Sequence, residues 1–202
     1  MCSAAFKYAI TTMTVPVALE DVCADAFRQM SRGVADRRSP FRTPVLATLG
    51  VDGWPRVRTV VLRAFDPVAR RVVIHSDARA AKVVEIAANP RAALHIWDDG
   101  RQVQVRLNGS AAVQPGSSRA EWDRLHAGSR STYCVRPTPG TALDDPAAAD
   151  ADRLDEDAAF ANFAVIHVDV IGMEWLHLAR DGHRRAVFTW GTDGMQAEWM
   201  VP

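Results

Sequence analysis

Residues 44–65 read PVLATLGVDGWPRVRTVVLRAF, two short apolar runs joined through Asp52-Gly53, a dipeptide suited to a tight hairpin turn. The runs 44–50 and 55–65 therefore predict paired β-strands. The second carries Arg56 and Arg58 before its most apolar stretch and Arg63 after it. Side chains alternate between the faces of a strand, so Arg56 and Arg58 share one face while Arg63, an odd number of residues on, points to the other unless a bulge intervenes. Guanidinium groups at both ends of an apolar run suit phosphate oxygens, as does Lys82, which opens the helical stretch KVVEIAANP at 82–90.

Further strands are expected at 71–76, 91–97, 102–113, 163–171, 173–180, 184–190 and 195–201, too many for one half-open sheet without curling, so a small barrel is predicted. Leu19, Val22, Cys23, Ala26, Phe27 and Met30 recur at helical spacing, which predicts an amphipathic helix over about 17–32, with Glu20 and Asp21 near its N-terminal end. A helix over 80–88 and another over 117–127, capped by Ser117-Ser118, cover the barrel ends. Arg37, Arg38 and Pro40 mark a loop. The segment 136–158 combines prolines, alanines and aspartates and reads as a flexible loop. Nothing marks a second domain, so residues 1–202 are expected to form one.

The chain has 202 residues, 48% of them hydrophobic, and Lys plus Arg equals Asp plus Glu at 24 each. That balance leaves no global field to recruit nucleic acid or an anionic membrane, so any anion site must be local. No stretch is long and apolar enough to span a bilayer, and residues 1–17 lack the basic start and apolar core of a signal segment, which makes a cytoplasmic location the expectation. Cys2, Cys23 and Cys134 are odd in number and lack metal-ligand spacing, arguing against a disulfide framework or zinc site. His95 and His167 sit in apolar strands as structural residues, and the carboxylates at 144–157 read as a solvated acidic loop rather than a metal cage.

The hairpin resembles the opening of the pyridoxamine 5'-phosphate oxidase-like FMN-binding split barrels. The resemblance continues through Ile74-His75-Ser76-Asp77, the helix and turn from Lys82 to Arg91, the glutamine-bearing strand 101–113 and the terminal EWMVP at 198–202. It implies a mainly β chain with peripheral helices, folded as a Greek-key-like split β-barrel that binds FMN. Arg58, Thr59, Val60, Val61, Leu62 and Arg63 would line the cofactor, with Arg63 near a substrate phosphate where the family carries lysine. The family's aromatic-threonine pair falls on His75 and Ser76. Its Ser-Arg-Lys phosphate grip falls on Ala80, Ala81 and Lys82. Only Lys82 is retained there, and Arg79, three residues earlier, would share its helix face and restore a cation.

Gln104, by spacing back from Gly109, or Gln102, by the local Arg-Gln-Val string, would face the polar edge of the flavin ring, Gln104 being preferred. Trp175 and Arg185 complete the implied cofactor set, with Arg184 as the alternative to Arg185 and Val187 standing where the family has arginine. The family's substrate-phosphate Tyr, Arg and Ser fall on His126, Arg130 and Cys134, and its C-terminal Arg and His on His183 and Arg185. Arg63, Arg130 and His183 are thus the expected substrate contacts, and the departures argue against pyridoxamine or pyridoxine phosphate as substrate. The resulting expectation is a homodimeric FMN-dependent oxidoreductase of a small molecule, with its site at the subunit interface. No catalytic side chain or metal is needed, because the flavin carries the chemistry. Two alternatives stay open: a non-catalytic flavin or haem binder with His75 or His177 as axial ligand, and a deazaflavin-dependent reductase.

Overall fold

The computed structural model describes residues 18–115 and 119–202. The expectations for residues 1–17, including Cys2, and for the Ser117-Ser118 cap lie outside the described residues. Helix α1 (Leu19–Ala35) buries Val22, Cys23, Ala26 and Met30, the stripe expected from its periodicity. Gly33 approaches Phe41 so closely that a Cβ there would lie 2.7 Å from its carbonyl carbon, which seats the helix end against the short turn Pro40–Arg42.

Among the described residues nine strands follow: β1 (Val45–Leu49), β2 (Pro55–Thr59), β3 (Leu62–Asp66), β4 (Arg71–Asp77), β5 (Arg91–Asp98), β6 (Val103–Pro115), β7 (Phe163–His177), β8 (Arg184–Gly191) and β9 (Gly194–Met200). Two differ from the sequence reading. The run 55–65 is broken at Val60-Val61, and 163–180 is one long strand ending at His177. Both differences serve closure. The sheet order is β2-β1-β5-β6-β7-β4-β3, and its two ends, β2 and β3, are consecutive in the chain. One extended segment thus pairs with β1 and then with β4, and the Val60 amide bonds the Pro44 carbonyl at 2.9 Å across the seam.

The split lies in β7. Its first half pairs with β4 and its second half with β8, while β6 runs along the other edge throughout. The register shifts where Asn108 faces Gly172 and Gly109 faces Val170, leaving Ile171 as an extra residue. Such a bulge bends the strand and lets one edge change partners. Leu46, Leu62, Ile74, Leu94, Val105, Leu107, Ile166 and Phe188 fill the interior with the α1 stripe. Helix α2 (Ala81–Ala88) packs on β1 and β6, with Ile86 in the core.

A second, smaller core of Trp122, Tyr133, Cys134, Ala159, Phe163 and Val165 lies beside β4 and β7. Trp122 comes from α3 (Arg119–Asp123) and Ala159 from α6 (Glu156–Phe160), with α4 (Ala127–Arg130) and α5 (Ala148–Ala151) between them in the chain. The single helix expected over 117–127 ends at Asp123, because His126 is extended and caps α4 separately. The segment 136–158 is not structureless: it holds α5 and the start of α6, and its neighbour Val135 bridges Arg153.

Candidate functional site

Arg58 pairs with Leu46, whose side chain is fully buried, so Arg58 lies on the inner side of the wall. There it donates to Glu85 of α2 at 2.7 Å and to the Thr48 hydroxyl, which donates to the same Glu85 oxygen at 2.5 Å. Ser76, also inward, accepts from Lys82 Nζ at 3.1 Å. Burial, then the neighbouring Arg58 charge, push the Lys82 amine below its usual value. Two cations and a hydroxyl therefore converge at the first turn of α2, which brings together three of the expected cofactor residues, Arg58, Ser76 and Lys82. Thr59 is exposed, whereas Val60 and Leu62 are core residues that anchor the seam.

Arg79 is not part of this cluster. Its guanidinium grips Asp77 at 2.7 and 3.0 Å and donates to the Val135 and Arg136 carbonyls at 2.9 and 2.8 Å, tying down the second core. The shared-face expectation fails because Ala80 is extended and caps α2, so Arg79 lies before the helix.

The register from β1 through β5 puts Ala93, His95 and Trp97 on the outer face, and Gln104 opposite Trp97 joins them. Gln104 and His95 approach at 3.2 Å. Gln102 does not share that face: it sits in the β5–β6 turn with φ of 53° and bonds back to the Asp99 carbonyl. Arg185, opposite Leu176, which itself faces Gln104, continues the outer row and donates to Glu174 at 2.7 Å. Arg184 is exposed beside it. Trp175 instead pairs with the buried Val105 and lies in the core at 3% exposure, stacked on His177. The outer row of Gln104 and Arg185 and the inner cluster of Arg58 and Lys82 thus occupy opposite faces of one wall.

Arg63 falls at an irregularity in which Leu62 pairs with Ile74 and Ala64 with Val73. Arg63 and Ala64 together line a cavity of about 360 Å³ with His75; the bulge that the alternation argument excluded is present at Arg63, so the irregularity and not spacing alone sets this direction. His75 is 3.6 Å from Glu121 and lies edge-on to Phe163. Burial, then the Arg63 charge, hold its pKa down to about 4, so the ring is neutral. The cavity also collects Arg37, Arg42 and Arg124. Sequence reasoning missed these as site residues. The cation density of Arg37, Arg38 and Arg42 just before β1 was the available signal, and nothing marked Arg124.

The other expected substrate contacts stand elsewhere. Arg130 donates to the Leu125 and Asp123 carbonyls and pairs with Glu156 at 2.9 Å, a structural clasp of the second core. Cys134 is buried with its thiol on the Arg130 carbonyl. His183 lies in the β7–β8 turn, where its Nδ1 accepts from the Ala179 amide.

Residues 24–115 match the family model described as pyridoxamine 5'-phosphate oxidase, FMN-binding domain. The pyridoxine/pyridoxamine 5'-phosphate oxidase of Microcystis aeruginosa is 39% identical over 85 residues, covering 42% of this chain and 39% of that one. The oxidase 2 of Arabidopsis thaliana is 30% identical over 119 residues, covering 54% and 60%. The matched region thus spans less than two thirds of these relatives' lengths. Among solved structures, a pyridoxamine 5'-phosphate oxidase-related, FMN-binding protein of Nostoc punctiforme superimposes with a TM-score of 0.73 at 21% identity, covering 94% of this chain and all of that one. PhzG of Burkholderia lata, in complex with tetrahydrophenazine-1-carboxylic acid, gives 0.74 at 16% identity, covering 95% and 98%. These two similarities show the fold, a split barrel, while residues 24–115 carry the likeness to the pyridoxamine 5'-phosphate oxidase FMN-binding domain.

Proposed function

We propose that the protein is an FMN-dependent oxidoreductase acting on a small molecule as a cytoplasmic homodimer. The observation that carries this reading is the inner cluster: Arg58, Lys82 and the Ser76 hydroxyl meet at a helix N-terminus, a donor set matched to a phosphate monoester. Lys82 bonds only a neutral hydroxyl and so has charge to offer an arriving phosphate, while Arg58 is held beside it by Glu85 at 2.7 Å. FMN, when bound, supplies two-electron redox chemistry at its ring. The chain's own residues hold its phosphate, orient the ring and exclude water.

Gln104 and Arg185 face away from the phosphate cluster, so one protomer does not gather the expected set around one flavin. A second copy solves this by presenting its outer row to the first. Leu49, Val57 and Trp97 are exposed on the same outer face, with Ile171 nearby at the bulge, and provide apolar surface for that contact. Arg130 and Cys134 are committed to the second core, which supports a substrate other than pyridoxamine phosphate. The test is titration with FMN followed by its visible spectrum. We expect saturable binding, weakened by about 1.5–3 kcal/mol in Lys82→Ala and in Arg58→Ala. Unchanged affinity in both variants would refute the assignment.

A further inference from the structure

A carboxylate stands inside the inner cluster. Glu85, one helical turn after Lys82 on α2, is 5% exposed. It accepts from Arg58 at 2.7 Å and from the Thr48 hydroxyl at 2.5 Å, both through Oε2. Arg58 also donates to that hydroxyl, so the three side chains close a ring. A buried carboxylate repels an arriving anion, so it alters what the cluster can hold. The surrounding charges are paired. Arg56, on the same strand face as Arg58, is held by Asp52 at 2.6 Å, and Asp77 of β4 is held by Arg79 at 2.7 Å. The strand β6, which also packs on α2, has no ionisable side chain from Leu107 to Pro115, and its Arg106 pairs with Glu174 on the outer face. With Glu85 on Arg58, the positive charge left over in the cluster is that of Lys82, whose amine meets the Ser76 hydroxyl.

We propose that Glu85 fixes the charge at which this cluster takes a phosphate monoester: the ester keeps one proton and binds as a monoanion. A dianion would exceed the free positive charge and face Glu85 in a poorly hydrated site, whereas a singly charged phosphate balances Lys82. The hydrogen that the phosphate keeps is donated to Glu85, whose Oε1 takes part in neither bond named above. Glu85 is thus a specificity-determining residue for a singly charged phosphate. This inference rests on reading the cluster as the flavin phosphate site.

A phosphate monoester loses its second proton near about pH 6, so binding as a monoanion draws in about one proton per FMN at pH 8. Calorimetric titration of the full chain with FMN at pH 8, in two buffers of different ionisation heat and at constant ionic strength, measures that uptake. Repeating it at pH 6 gives the change in affinity. Wild type should take up about one proton at pH 8 and bind about tenfold or more tighter at pH 6. Glu85→Gln keeps an acceptor for Arg58 and removes the charge, so it should take up no proton and bind FMN tighter than wild type at pH 8. Thr48→Val opens the ring, leaves the charge, and should keep the wild-type uptake. No uptake in wild type, a result that depends on no variant folding, would overturn the proposal. Uptake that persists in Glu85→Gln would also overturn it and assign the proton to the Lys82 amine, whose pKa burial already lowers. Uptake abolished in Thr48→Val would overturn it too, leaving Glu85 as a support for Arg58 alone. Each of these results with saturable FMN binding leaves the flavin reading standing. No saturable FMN binding in wild type would refute that reading and this inference with it.

Discussion

Arg58 and Arg63 lie on one extended segment and serve opposite sides of the barrel wall. Alternation carries Arg58 inward to Glu85, and the extra residue at the β3–β4 irregularity carries Arg63 outward to His75. The consequence for His75 is a pH dependence of stability. In the folded chain its pKa is held down to about 4, and in the unfolded chain it titrates near about 6.5. Between those values the unfolded state binds the extra proton, so stability present above about pH 6.5 is lost as pH falls toward about 4. Wild type should lose about 1–2 kcal/mol more than His75→Asn between pH 7 and pH 5, as measured by urea denaturation. Equal losses would assign the proton to another group.

At the scale of elements, the β6–β7 bulge decides where the barrel splits. Gly109 lies against it, and an added Cβ would meet the Asp169 carbonyl oxygen at 2.3 Å. Backbone cannot yield as a side chain can, so Gly109→Ala should cost about 1–3 kcal/mol and lower the melting temperature. Gly100→Ala is the control, since its Cβ would meet only the Asp98 carboxylate at 3.5 Å. A melting temperature unchanged in Gly109→Ala would show that the bulge tolerates another geometry. The same scale explains two misplaced expectations. Arg79 and Lys82 have helical spacing, yet α2 starts between them, and the helix expected over 117–127 stops at Asp123. Spacing within a short segment does not say where a helix begins, because caps and tertiary contacts set that boundary.

For the whole molecule, the proposed function, with its two rows of candidates on opposite faces, makes self-association and cofactor binding one property. Val57 is 69% exposed on the outer face, so Val57→Asp should leave the protomer folded while weakening both dimerisation and FMN affinity. Sedimentation and flavin titration of the same samples measure the two together, and loss of one alone would separate them. The sequence by itself determined the Asp52-Gly53 hairpin and the buried stripe of α1. These follow from turn chemistry and side-chain period, which neighbouring residues encode. Only the tertiary structure decided which cations are available. Arg79 and Arg130 found carboxylates and carbonyls in the second core, Trp175 found the barrel interior, and Arg37, Arg42 and Arg124 were gathered around Arg63 from separate parts of the chain. A long charged side chain takes whichever partner folding brings within reach, and the Val135 and Arg136 carbonyls for Arg79 and Glu156 for Arg130 are distant in sequence.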